Sequence, residues 1–324
     1  MNEPEIVRIL ASVVFASSPL IIAVVGETIT ERSGIVNLSL DGTMLMAAMS
    51  GFVVALTTDS VWIGFIAGAV IGIIFSLIVA FGSITLNKSQ VAIGFVLTLL
   101  GDDLSAFLGQ NYTRTPGPFV KHVGIPLLKD IPIIGPIFFD QSYTVYFAFI
   151  LVIAAWWYLN RTQPGLHLRS AGERPEAAFA RGVRVNRVRY LYTIVGGALV
   201  GIAGAAYSLD VKIGWSDGHI RGLGWIALAI VIFGGWSPIR GALGALLFGA
   251  TKVLATILQR TFPEVSVVAF NAIPWLLMIF VLLFVGSDFT DRLISYMPRR
   301  IQPPLRRLFK ISAPMALSTN FVER

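Results

Sequence analysis

Few side chains in this 324-residue chain can do chemistry where they stand, and their spacing limits which chemistry that is. Asn37 and Asp41 are four apart in an apolar stretch, as are Thr98 and Asp102, with Asp103 adjacent. Residues four apart share one helical face. Trp236, Ser237 and Arg240 cluster at a junction broken by Gly234, Gly235 and Pro238, which suits a discontinuous helix lining a cavity. Polar groups inside apolar spans are costly and therefore point to use. For Asn37, Asp41, Thr98 and Asp102 two readings stand: lining of a pathway or gate, or an internal polar staple or helix cap. Asp102 and Asp103 also suit a place near the external surface. Arg240 reads as an anchor at a cytoplasmic helix end or as a partner of Asp41.

Other chemistries have no residues to carry them. The chain has no Cys, so it has no disulfide, no thiolate nucleophile and no Cys-ligated metal. His122, His167 and His219 are widely scattered, so neither a metal site nor a cofactor is expected. No G-x-x-x-x-G-K-[ST] run occurs, and the Gly-rich runs lie inside apolar stretches, so nucleotide binding by this chain is not expected. An ion-coupled secondary transporter would favour paired intramembrane carboxylates, for which Asp41 with Asp102 is the candidate pair.

These residues must be positioned by elements of an unusual kind. The sequence is 55% hydrophobic and 13% charged, with a mean hydropathy of +0.76; soluble domains carry about 25% charged residues. The apolar set suffices for eight or nine spans of ~20 residues. The fold class expected is all-α, a polytopic transmembrane helical bundle of about nine spans, with eight to ten allowed and discontinuous helices possible. The spans fall near 6–25, 36–57, 61–86, 91–109, 142–160, 190–209, 222–236, 241–258 and 267–286. A polar bend is expected over 26–34, and a tenth span if 26–40 hides a re-entrant helix. Residues 1–286 read as the membrane domain and 287–324 as a basic tail.

Charge gives an orientation. The formal +7 is concentrated in the segment 161–189, with net +5, and in the tail, with net +4. In a membrane chain such segments remain cytoplasmic, a better reading than nucleic-acid binding. The near-neutral loop 110–141 and the N-terminus are then outside, and so is 210–221, which reads as a solvated loop or as a mouth that receives a partner. Glycine forms stripes: Gly64, Gly68 and Gly72; Gly197 and Gly201 with Ala205; Gly241 and Gly249 with Ala245. Such stripes let neighbouring backbones approach.

Within 161–189, Pro175 suits a first helical turn, Glu173 and Glu176 the positive dipole end, Arg181 the negative end, and Gly182 a left-handed stop. This predicts a helix of about two turns presenting Ala177, Ala178, Phe179 and Ala180. It is too short to persist alone in water, so it should dock against something.

Three stretches together resemble one family. The segment Leu168–Val185 resembles the cytoplasmic loop of permease subunits of ATP-binding-cassette importers that serve branched-chain amino acids, simple sugars and nucleosides. Glu31-Arg32-Ser33-Gly34-Ile35-Val36-Asn37-Leu38-Ser39-Leu40-Asp41-Gly42 is similar to an early motif of that family, in the form of its nucleoside and simple-sugar branch. Gly234-Gly235-Trp236-Ser237-Pro238-Ile239-Arg240-Gly241 is similar to a later Gly/Ser/Pro-rich motif. The resemblance implies a pathway formed with a second permease subunit, separate ATPase subunits that bind and hydrolyse ATP, and an extracytoplasmic solute-binding protein. It also implies ATPase docking at Glu173, Pro175, Ala177, Phe179 and Gly182, and a place in the bacterial inner membrane. The tail 287–324 matches nothing in the family.

Overall fold

The computed structural model describes residues 3–285, 295–296, 302 and 312–322. The boundary expected at 286 lies outside them.

The first helix, α1 (Glu3–Arg32), runs 30 residues without a break. The bend expected over 26–34 is therefore not a bend. Polar side chains do not break this helix because they bond within it: the Thr28 hydroxyl donates to the Val24 carbonyl at 2.7 Å and that of Ser33 to the Thr30 carbonyl at 2.6 Å. Glu27, Thr28, Thr30 and Glu31 are buried. Residues 33–39 form a non-helical loop, and α2 (Leu40–Thr58) begins beyond it. Asn37 consequently precedes α2 rather than sharing a helical face with Asp41.

The chain continues through α3 (Val61–Ala80), lengthened by a π-helical turn at Phe81–Thr85, and α4 (Gln90–Gly109). Two three-residue strands, β1 (His122–Gly124) and β2 (Asp140–Ser142), pair antiparallel with His122 opposite Ser142. Then come α5 (Tyr143–Arg161), α6 (Gln163–Glu173), α7 (Pro175–Ala180) and α8 (Val185–Ala206), which ends in a π-helical turn at Tyr207–Val211. The helix α6 was not foreseen, although Thr162 caps it by accepting from Gly165 N–H at 3.1 Å and Pro164 sits in its first turn. The series closes with α9 (Leu223–Phe233), α10 (Pro238–Thr261) and α11 (Val267–Val285).

Among the described residues, seven helices are long and apolar enough to cross a membrane, and α9 and α11 are shorter apolar helices. The 11 residues of α9 reach about 16 Å at 1.5 Å per residue, roughly half a bilayer core. It is a half-helix.

α1 and α8 form the centre of the bundle and run antiparallel, Gly196 lying against Thr30 and Gly26, and Val200 against Gly26. α3 lies along the other side of α8, where Gly64, Gly68 and Gly72 meet Gly51, Gly201 and Gly197. A β-carbon on Gly68 would lie 2.8 Å from the Gly201 carbonyl oxygen, so this seam excludes side chains. On α10, Gly241 faces Val24 and Gly249 faces Ser17 of α1. The last described stretch, 312–322, returns to the end of the bundle that carries α6, α7 and the C-terminal end of α1. This end is the arginine-rich face.

Candidate functional site

The half-helix α9 starts inside the bundle, and its first N–H groups need acceptors that no water supplies. Asp41 supplies them. Its Oδ2 accepts from Gly222 N–H at 3.0 Å and its Oδ1 from Gly224 N–H at 2.8 Å. The carboxylate also sits at the positive end of the α9 dipole. Gly222 has φ +90°, a left-handed conformation that costs an L side chain, and a β-carbon on Gly224 would collide with the Asp41 backbone.

The loop before α2 is held on three sides. Asn37 Oδ1 accepts from the Ser39 hydroxyl at 2.6 Å and from Ser39 N–H at 3.1 Å, an Asx turn that feeds the chain into α2. Glu27 Oε1 accepts from Asn37 N–H at 3.2 Å. Gln90 Oε1 accepts from Val36 N–H at 2.8 Å, and the Thr98 hydroxyl donates to the Leu38 carbonyl at 2.7 Å. Asn37 and Thr98 thus hold backbone.

Asp102 does not pair with Asp41 as a second carboxylate. It accepts from Arg221, at 2.8 Å from Nη2 and 3.1 Å from Nε, and Arg221 also reaches Asp217 at 3.4 Å. Two turns below on α4, Phe95 meets Trp225 of α9 at a tilt, with centroids 6.4 Å apart. Arg240 is not the partner of Asp41 either. It lies beyond the far end of α9 and donates to the Gly235 carbonyl at 3.2 Å. The length of α9 separates it from the Asp41 cap.

That far end is closed from α1. Trp236, buried at φ +53°, donates its indole N–H to Glu31 Oε2, and Arg32 Nε donates to the Trp236 carbonyl at 2.9 Å. Ser237 precedes α10 without capping it through its side chain. Glu27 and Glu31 are buried, hydrogen-bonded positions that the sequence reading placed in a bend. Their spacing of four within an apolar register was the available signal. The pairings of Arg221 with Asp102 and of Trp225 with Phe95 gave no such signal, because each joins residues more than a hundred apart.

The stretch Gly214-Trp215-Ser216-Asp217-Gly218 fits the Gly-x-Ser-x-Gly pattern of serine hydrolases, which the sequence reading passed over. It lies in no strand–turn–helix. Half-buried His219 donates Nδ1–H to the Ser216 backbone carbonyl at 2.7 Å, and its Nε2 lies 3.4 Å from the Ser208 hydroxyl, so no triad forms. Burial pushes the His219 imidazole down to about 4.

On the arginine-rich face, Pro175 and Ala178 of α7 are buried while Ala177 and Phe179 are exposed. Gly182 has φ +84° with open space around it, and its N–H donates to the Phe179 carbonyl at 2.8 Å, closing the helix. Glu173 lies 3.8 Å from Arg32 and accepts from Met315 N–H at 3.3 Å. Phe179 meets Phe321 edge-on, with centroids 6.0 Å apart.

A family described as the permease component of branched-chain amino acid transport systems matches residues 9–282. The chain belongs to this family. Relatives at higher identity agree with that placement. The permease is 37% identical over 260 residues to the nucleoside ABC transporter permease protein of Lactococcus lactis, covering 77% of this chain and 82% of the relative. It is 35% identical over 303 residues to the guanosine ABC transporter permease protein of Bacillus subtilis, covering 87% and 94%. A glucose ABC transporter permease protein of Haloferax volcanii is 23% identical over 273 residues, covering 78% and 70%. The chain is therefore a permease subunit of an ATP-binding-cassette importer and a multi-pass membrane protein. The ion-coupled alternative is set aside, in keeping with an Asp102 that is paired to arginine.

Proposed function

We propose that this permease moves a small polar solute, a nucleoside or a simple sugar, across the cytoplasmic membrane by alternating access. The relatives named for nucleoside, guanosine and glucose transport support that solute class. In this reading a second permease subunit completes the pathway, separate ATPases bind and hydrolyse ATP, and an extracytoplasmic binding protein delivers the solute.

The observation that carries the pathway is the ion pair of Asp102 and Arg221. Asp102 stands twelve residues along α4, which places it about 18 Å above the arginine-rich face. α9 gives about 16 Å for the neighbouring Gly222 level. Two helices agree on a depth inside the bilayer core, yet the side chains of Arg221 and Asp102 are 53% and 28% exposed. Charges at that depth face water, not lipid, because lipid exposure costs roughly 2.5–3.5 kcal/mol per charge. The α4–α9 surface is then the pathway wall, with the Asp41 cap behind it and the Glu31–Trp236 closure below it. The arginine-rich face is cytoplasmic, α7 docks the ATPase, and the segment 212–222 lies toward the binding protein.

Uptake of labelled guanosine and glucose into vesicles holding the complete transporter tests this reading. ATP-dependent uptake of either, lost in an Arg221→Leu, Asp102→Leu variant that still assembles, is expected. Uptake driven by an ion gradient without ATP would overturn it.

A further inference from the structure

The segment 312–322 makes specific contacts with five other parts of the chain. Ala316 N–H donates to the Gly172 carbonyl of α6 at 2.9 Å, and Ser318 N–H to the Gly34 carbonyl of the loop 33–39 at 3.1 Å. Arg189 of α8 donates to the Thr319 carbonyl at 2.9 Å, and Asn320 donates to the Asn87 carbonyl at the α3–α4 turn at 3.0 Å. Phe321 joins the cluster of Ala171, Ala178 and Val185 and packs on Phe179.

The crossing at Gly34 is tight. Gly34 has φ +96°, and a β-carbon there would lie 2.9 Å from Arg189 Nη2, 3.2 Å from the Ala316 carbonyl oxygen and 3.3 Å from the Gly172 Cα. Three segments therefore meet at one glycine, and a displacement of any one of them pushes on the others. α7 and α6 also hold the body directly: Ala178 is buried beside Ala171 and Val185, Gly172 lies against the Arg32 carbonyl at the end of α1, and Arg189 donates to the Ala171 carbonyl at 3.4 Å.

We propose that residues 314–321 are a tie that carries movement of α6 and α7 to the loop 33–39, and through Asn37 to the Asp41 cap of α9. This rests on the reading of α7 as the ATPase-facing helix. The tie travels with α7 through the cycle. Backbone hydrogen bonds to both α6 and the loop suit a permanent link better than a plug that must leave.

The absence of native Cys makes the test direct. A Phe179→Cys, Phe321→Cys variant is oxidised, or joined by a short thiol linker, in vesicles holding the complete transporter. Equal solute uptake per ATP before and after cross-linking is expected. Uptake that stops on cross-linking and returns with reductant would overturn the tie and make the segment a releasable plug. Phe321→Ala, which removes one aromatic contact, is expected to lower uptake per ATP by roughly threefold to tenfold with the ATPases still co-purifying. Full coupling in Phe321→Ala and in a chain truncated after Pro314 would also overturn it. Ala177→Arg, on the exposed side of α7 away from the segment, separates the two ideas. Normal ATPase stimulation in Ala177→Arg removes the α7 reading, whereas its loss there beside normal coupling in Phe321→Ala removes the tie alone.

Discussion

Asp41 Oδ1 accepts the N–H of Gly224 at 2.8 Å across 183 residues of sequence, and this bond joins the start of α2 to the start of a helix that begins inside the bundle. Leucine at position 41 would leave the Gly222 and Gly224 N–H groups without acceptors, at about 1–3 kcal/mol each. Asp41→Leu is expected to lower the melting temperature in detergent and abolish uptake. Asp41→Asn keeps one acceptor oxygen and should fall between. Wild-type melting and uptake in Asp41→Leu would remove the cap from the mechanism.

The closure below α9 should behave differently from the cap above it. Trp236→Phe keeps the buried ring and deletes the N–H that Glu31 accepts. Expression and assembly should hold, while uptake falls and ATP hydrolysis without solute rises as the Trp236 end of α9 loosens. Unchanged basal hydrolysis and uptake would show that this bond only stabilises the turn.

Orientation has its own measurement. Cys introduced at Lys121, in the loop 110–141, should react with an impermeant thiol reagent applied outside right-side-out cells. Cys at Arg181 should react only after the cells are opened. The reverse pattern would invert the protein and place α7 on the wrong side for an ATPase.

His219 gives a pH dependence whose sign follows from burial. Its folded pKa, about 4, lies below the ordinary value of 6.5. The unfolded chain therefore binds the proton first, and the stabilising contribution is full above pH 6.5 and fades as pH falls toward 4. At most roughly 3 kcal/mol is involved. The melting temperature should drop between pH 7 and pH 4.5 in wild type, and less so in His219→Gln. Parallel drops would assign the acid lability to other groups.

Gly182→Val places a β-branched residue at φ +84° where space is open, so its penalty is backbone strain alone, about 1–2 kcal/mol. It should fray the end of α7 and reduce solute-stimulated ATP hydrolysis with the membrane body intact, whereas Gly182→Asn should retain most of it. Equal loss in both would point to a contact rather than to conformation.

What the sequence determined by itself is what depends on near neighbours along the chain. Apolar run length yields the nine apolar segments, and Pro175 with Gly182 brackets α7, because capping and partition act within a few residues. The family motifs around Asn37–Asp41 and Gly234–Arg240 were visible for the same reason. Tertiary structure decided everything that spans the bundle. A polar stretch such as Gly26–Arg32 reads as a bend until Asn37 and Trp236 arrive to bond Glu27 and Glu31. The span read over 222–236 shows nothing of the Asp41 cap that lets it start inside the bundle, and Arg221 reads as a loop charge until α4 brings Asp102 beside it. No local propensity encodes these pairs, since the desolvation that makes each one necessary exists only once distant helices have packed and excluded water.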